Sequence, residues 1–300
     1  MLILLPPSET KRDGGDPARP LTLEALSFPE LTKQRQRAVS AMRRLARNRG
    51  AAAALRLGPT QARELERNKQ LESGPTMPAI ERFDGVLYEG LDASSLPSRA
   101  RSFANDHVLI ASALFGLVRP DDPIPAYRLS PDSRLPGTPL RALWATPVSA
   151  VLAAEPGMIL DLRSESYVAL GPAPARAESW YLRVVSEGDD GRRRALNHFN
   201  KKGKGEFVRA LLRHGARVEN PSDRRRSPRM LQRRNPALRA ASPALQKARS
   251  CSDSSGRPGS ARTEDYQIRG SQRTRAADLL RAQMFPPAAG RRRKSWEKVP

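Results

Sequence analysis

The sequence predicts an α/β fold: a mixed α/β single domain with a central sheet over residues 1–217, followed by a disordered basic tail over residues 218–300. Three observations carry that expectation. Short runs that are apolar almost throughout read as strands buried on both faces. Between them lie stretches with apolar residues at helical intervals, punctuated by Pro- and Gly-rich turns. At about Val218 the composition turns abruptly to Arg, Ser, Pro and Ala.

The first strand is Leu2–Leu5, directly followed by Pro6 and Pro7. Ser27 and Glu30 have capping-box spacing, and Leu31, Ala38, Met42 and Leu45 recur at helical intervals until Asn48 and Gly50, which predicts a helix. Val108–Ala111 and Met158–Leu162 are the next two buried strands. Thr138 and Pro139 open a helical pattern through Leu140, Leu143 and Trp144, which Pro147 is expected to restart with Val148, Val151 and Leu152 on the same face. Tyr181–Val185 reads as a fourth strand. Beyond Gly205, the stripe Phe207, Val208, Leu211 and Leu212 predicts a helix ending at His214 and Gly215. No internal repeat is found.

Hydrophobic residues make up 38% of the 300, enough for a sizeable core without staples. The single cysteine, Cys251, leaves no disulfide framework and fits a reducing compartment. The start, MLILLPPSETK, has four apolar residues, no basic region before them and prolines straight after, unlike a signal peptide. No stretch approaches the roughly 18 apolar residues of a membrane span. The expected location is the cytoplasm, with no membrane partner.

The net charge of +22 favours a polyanionic partner, because Lys and Arg release counterions from phosphates. Residues 218–300 hold 20 of the 53 basic and 7 of the 31 acidic residues, so the tail supplies +13 of that charge. Its aromatics are Tyr266, Phe285 and Trp296, too little apolar surface to offset the chain entropy of folding.

Four blocks carry a family resemblance: PPSETK at 6–11, PAIERFDGVLYEGL at 78–91, HVLIASALFGLVRPDDPIPAYRL at 107–129 and NHFNKKGKGEFVRALL at 197–212. Between the last two, LDLRSESYVAL at 160–170 adds a fifth block, matching one built around a Ser-x-Glu-Tyr sequence. In order and spacing these resemble the YaaA family of bacterial peroxide-stress proteins. The resemblance implies a mixed α/β fold peculiar to the group, a part in limiting damage from peroxide and free iron, and a positively charged cleft able to bind DNA. It implies no settled catalytic mechanism. Relatives usually continue the last helix into a final helical segment and a closing strand, whereas here Arg- and Pro-rich sequence follows, as an altered reading frame or a divergent end would produce.

The nucleic-acid-binding candidates start with Asn197, His198, Lys201, Lys202 and Lys204. Three lysines at a helix start oppose the macrodipole, and a phosphate there would reverse that cost. Gly203 and Gly205 would let the backbone approach it. The alternative is a solvated basic loop. A nucleotide P-loop is excluded, since Gly-x-x-x-x-Gly-Lys-Ser/Thr is absent. Arg119, Tyr127 and Arg128 flank the rigid turn Pro120–Pro125, where charge plus stacking suits a sugar-phosphate strand; a Tyr packed inward is the alternative. Lys11 stands with Ser8, Glu9 and Thr10 just after the first strand, as a phosphate or water site or as a polar turn. Ser164, Glu165 and Tyr167 follow the third strand, where Glu165 is a candidate general base or an ordinary helix-start residue.

His107, His198 and His214 are widely separated and no metal-ligand spacing is present, so no metal and no cofactor are expected. The expected partner is DNA, double-stranded or structured, with weak sequence preference because the candidates seek phosphates. The alternative is an enzyme acting on a nucleobase or nucleotide, with Glu9 or Glu165 as acid/base and His198 or Lys201 steadying negative charge. A third reading is an iron-handling protein.

Overall fold

The structure, a computed structural model, describes residues 1–176, 179–187, 193–194, 197–218, 264–268 and 280–285. Its centre is β1 (Leu2–Leu5), fully buried, with β5 (Val108–Ser112) and β8 (Ile159–Asp161) parallel to it on either side. Burial on both faces explains why all three are apolar almost throughout. β6 (Gly116–Val118) closes one side antiparallel to β5, and β9 (Ser179–Glu187) extends the other parallel to β8. Two small antiparallel pairs lie outside this sheet: β2 (Thr10–Lys11) with β4 (Phe83–Asp84), and β3 (Thr76–Pro78) with β7 (Pro123–Pro125).

β9 also pairs with β10 (Arg193–Arg194) and with β12 (Leu280–Phe285), and β12 pairs with β11 (Glu264–Ile268). The stretches of the basic tail that are described therefore continue the sheet beyond β9. The disordered-tail expectation covers residues 218–300; apart from Val218 and the strands β11 and β12, that stretch lies outside the described residues.

The connection from β1 to β5 carries α1 (Thr32–Ala46), α2 (Ala51–Ala54), α3 (Ala62–Lys69), α4 (Ala79–Arg82), α5 (Val86–Leu91) and α6 (Ser98–His107). α7 (Leu140–Ala154) and the short α8 (Glu165–Val168) flank β8, and α9 (Asn197–Val218) packs on α5 and α6. Three sequence expectations change in detail. Ser27 does not cap α1, because Asp122 takes both its backbone N–H and its hydroxyl, at 3.1 and 2.7 Å. A 3-10 turn at Pro29–Leu31 leads into the helix instead. Pro147 sits inside one continuous α7 rather than restarting it. α9 begins at Asn197, two turns before Gly205.

Two arginines lie at the heart of the long crossover. Arg35 is fully buried and donates to the carbonyls of Ser27, Phe115 and Leu117 at 2.6 to 3.0 Å. Arg82 is fully buried and donates to Arg12, Gly14, Pro75 and Ile124. Each guanidinium satisfies buried backbone carbonyls of loops and short strands. Burial lowers both to a pKa of about 10.

Candidate functional site

β1 and β8 are neighbours running in the same direction, and the chain departs from β1 toward β5 on the opposite side. Where strand order switches in this way, the loops beyond the carboxyl ends diverge and leave a crevice. A cleft of about 740 Å³ opens there. The turn after β1 supplies Ser8, Glu9 and Thr10, and the turn into α8 supplies Ser164, Glu165, Ser166 and Tyr167. Tyr88 on α5, Asp132, Tyr181 on β9, and Lys201 and Lys204 on α9 complete its polar lining.

Local chemistry fixes each side. Tyr88 Oη donates to the Pro6 carbonyl at 2.9 Å, tying α5 to the turn after β1. Glu9 is held by Arg128, whose Nη2 lies 2.5 Å from its carboxylate. Gly85 has φ +124°, and a Cβ there would sit 2.8 Å from Ser8 Oγ, so only glycine permits this approach. On the other side, Asp161 and Arg163 form a buried bidentate pair at 2.9 and 2.7 Å beneath the start of α8. The next turn opens with Ser164, whose carbonyl accepts from the N–H groups of Tyr167 and Val168.

α9 brings the ammonium groups. Lys201 is exposed at the rim, whereas Lys204, one turn on, is buried and donates from Nζ to the Leu162 carbonyl at 3.1 Å. Desolvation lowers Lys204 to a pKa of about 8, partly countered by the charge of Asp161. α9 can come this close because it meets α5 backbone to backbone. A Cβ on Gly205 would lie 2.0 Å from the Leu87 carbonyl, and one on Gly90 would lie 2.6 Å from the Lys202 carbonyl.

Several sequence candidates are placed elsewhere. Gly205 does not open a phosphate loop; it sits inside α9 and is spent on helix packing. Lys202 is exposed but does not line the cleft. Lys11 is 3% exposed, because β2 lays it over Phe83 and Tyr127, with Nζ 4.2 Å from the Tyr127 ring centre, so it cannot reach a phosphate. Tyr127 is 1% exposed and hydrogen-bonded to Ser112, so it cannot stack on a base. Arg119 is turned away to the Asn105 and Asp106 carbonyls and Glu155, and lies over Phe28. Arg128 acts at the rim through Glu9. Asn197 and His198 begin α9, but their side chains lie outside the described residues.

Sequence reasoning did not single out Tyr88, although it lies in the block 78–91, nor Asp132 and Tyr181; all three reach the cleft only through the fold. It did not foresee the cleft's charge balance either. Among the described lining residues, Lys201 and Lys204 face Glu9, Asp132 and Glu165, so the lining is mixed rather than uniformly positive. Among the described residues no group of three His, Cys, Asp or Glu could hold a metal, and no helix is long and apolar enough to cross a membrane.

Comparison with known proteins gives a consistent result. The family described as "Peroxide stress protein YaaA" matches residues 1–225. A UPF0246 protein of Corynebacterium efficiens is 44% identical over 216 residues, covering 70% of this chain and 84% of the relative. One from Corynebacterium glutamicum (strain R) is 43% identical with the same coverage. A UPF0246 protein of Streptomyces coelicolor is 38% identical over 232 residues, covering 74% of this chain and 87% of the relative.

Proposed function

The chain belongs to the YaaA family of peroxide stress proteins, and from that premise we propose that it protects DNA in the cytoplasm during peroxide stress by seating one nucleotide unit of a structured or damaged strand in the cleft. The observation that carries this reading is the convergence of Ser8, Glu9, Ser164, Glu165 and Tyr167 with Lys201 and Lys204 on one crevice at the carboxyl ends of β1 and β8. Its volume suits a nucleotide rather than the width of a duplex. Lys201 takes the phosphate, Lys204 lies beside the sugar, and the hydroxyls and carboxylates hydrogen-bond sugar and base. Occupation of the strand limits iron- and peroxide-dependent damage at the covered site.

A plasmid exposed to ferrous iron and peroxide provides the test. The full chain is expected to lower nicking well below the level given by equimolar albumin, and Lys201→Ala with Lys204→Gln to lose at least half of that protection. Protection no better than albumin's contradicts the proposal. The nucleotide-enzyme reading is favoured by one feature, the two carboxylates Glu9 and Glu165 on the same cleft.

A further inference from the structure

Of the two lysines on the cleft, only Lys204 is withdrawn from solvent. Its one hydrogen-bond acceptor among the described residues is the Leu162 carbonyl, a neutral group. The nearest acidic influence, Asp161, is committed: both its carboxylate oxygens accept from Arg163. Lys204 is thus a buried amine without an ion-pair partner among the described residues, on the wall of an open cleft. A lysine needed only for phosphate binding gains most from being solvated and charged, like Lys201. Burial without a counter-ion instead favours the neutral amine, which is the nucleophilic form.

We infer that Lys204 Nζ reacts with an aldehyde presented in this cleft, forming an imine with the ring-opened deoxyribose of an abasic site. The inference rests on the nucleic-acid reading for its substrate class. The neutral amine adds to the aldehyde carbon, forming the C–N bond, and a proton passes from nitrogen to the new alkoxide. The hydroxyl of the resulting carbinolamine then leaves as water, taking a proton from a cleft carboxyl or water, the nitrogen lone pair forms the C=N bond, and the iminium N–H proton returns to that donor. No oxidant or reductant is needed. Hydrolysis restores both partners, so the capture is reversible.

Desolvation lowers the Lys204 pKa to about 8, so near neutral pH far more of its amine is neutral than that of an ordinary exposed lysine. Lys11 is also a buried amine, but it does not line the cleft and lies against the Tyr127 and Phe83 rings. Ser164 and Ser166, whose hydroxyls are 3.1 Å apart, line the same cleft and supply polar groups beside the carbinolamine.

The test is borohydride trapping with the full chain, using a duplex oligonucleotide carrying one abasic site, the same duplex intact, and free deoxyribose 5-phosphate. The expected result is a reduced adduct with the abasic duplex that maps to Lys204, absent with the intact duplex, and lost at least tenfold in Lys204→Arg. Arginine keeps the cation and a donor to Leu162 but cannot form the imine, and a thermal melt verifies that the variant is folded. Lys33→Ala, on the exposed face of α1, should trap as the parent does. Binding of both duplexes is measured in parallel. Binding without an adduct, or an adduct on other lysines, overturns the inference while the DNA reading stands. An adduct on Lys204 with deoxyribose 5-phosphate but no duplex binding overturns the DNA reading and moves the chemistry to a free sugar phosphate. No adduct with either aldehyde overturns the inference outright.

Discussion

Gly205→Ala is expected to destabilise the protein by about 2–4 kcal/mol, where the same change in an ordinary helix stabilises by up to about 1 kcal/mol. The reversal comes from the contact between α9 and α5. The new Cβ would stand 2.0 Å from the Leu87 carbonyl, 2.8 Å from the Leu91 nitrogen and 3.0 Å from the Gly90 carbonyl carbon. All three are backbone atoms, so no side chain can swing aside, and the helices must separate. Separation also moves Lys201 and Lys204 away from Tyr88 and the turn after β1, so any activity of the cleft should fall with stability. Urea unfolding of the parent and variant provides the measurement. A neutral or stabilising Gly205→Ala would show that the two helices are not in backbone contact.

The second large effect concerns Lys11. Desolvation dominates its environment; Arg128 and Arg67 lower its pKa further, Glu64 and Glu9 raise it, and the result is about 7. In the unfolded chain a lysine binds its proton up to about pH 10.4. Between about pH 7 and 10 the unfolded state therefore binds more protons than the native state, and stability rises with pH through that window. Below about pH 7 both states are protonated and the native state carries the full cost of a buried ammonium. Lys11→Met removes this titration, so its stability relative to the parent should be highest at pH 6 and fall by roughly 3 kcal/mol by pH 9.5. Because the comparison is a difference of differences, the lost contacts to Glu9 and the Tyr127 ring do not enter it. Denaturant curves at the two pH values decide the matter: a pH-independent gap would mean that Lys11 is solvated in the native state.

These effects also mark where sequence reading succeeds and where it stops. The strands β1, β5 and β8 were legible because a strand buried on both faces must be apolar throughout, and β9 from its run Tyr181–Val185. The turns carrying Ser8 with Glu9 and Ser164 with Glu165 were legible because they follow such strands directly. Lys11 was not, since nothing local distinguishes a lysine laid over two aromatic rings from one in solvent. Its burial depends on β4 and on Tyr127, which is distant in sequence. Arg35 and Arg82 are hidden in the same way among 53 basic residues. The lysine and glycine run of α9 misleads for a different reason. Glycines that let a backbone approach a phosphate and glycines that let it approach another helix look identical until the partner, here Gly90 and its neighbours, is known.

The described part of the basic tail adds a constraint on experiments. β12 pairs along β9 from Phe285 with Tyr181 to Leu280 with Ser186, so removing residues 218–300 strips two strands from the sheet. The full chain is therefore the proper material, and the tail's own charge must be separated from that of the cleft by comparison of variants.

Fluorescence anisotropy of a labelled DNA hairpin across a salt series, for the full chain and for Lys201→Ala with Lys204→Gln, tests the central claim most directly. If the cleft is the site, the double variant binds at least tenfold more weakly and its slope of log affinity against log salt is shallower by about one, for the lost Lys201 contact to phosphate. An unchanged affinity and an unchanged slope would contradict the claim and assign the binding to basic residues elsewhere in the chain.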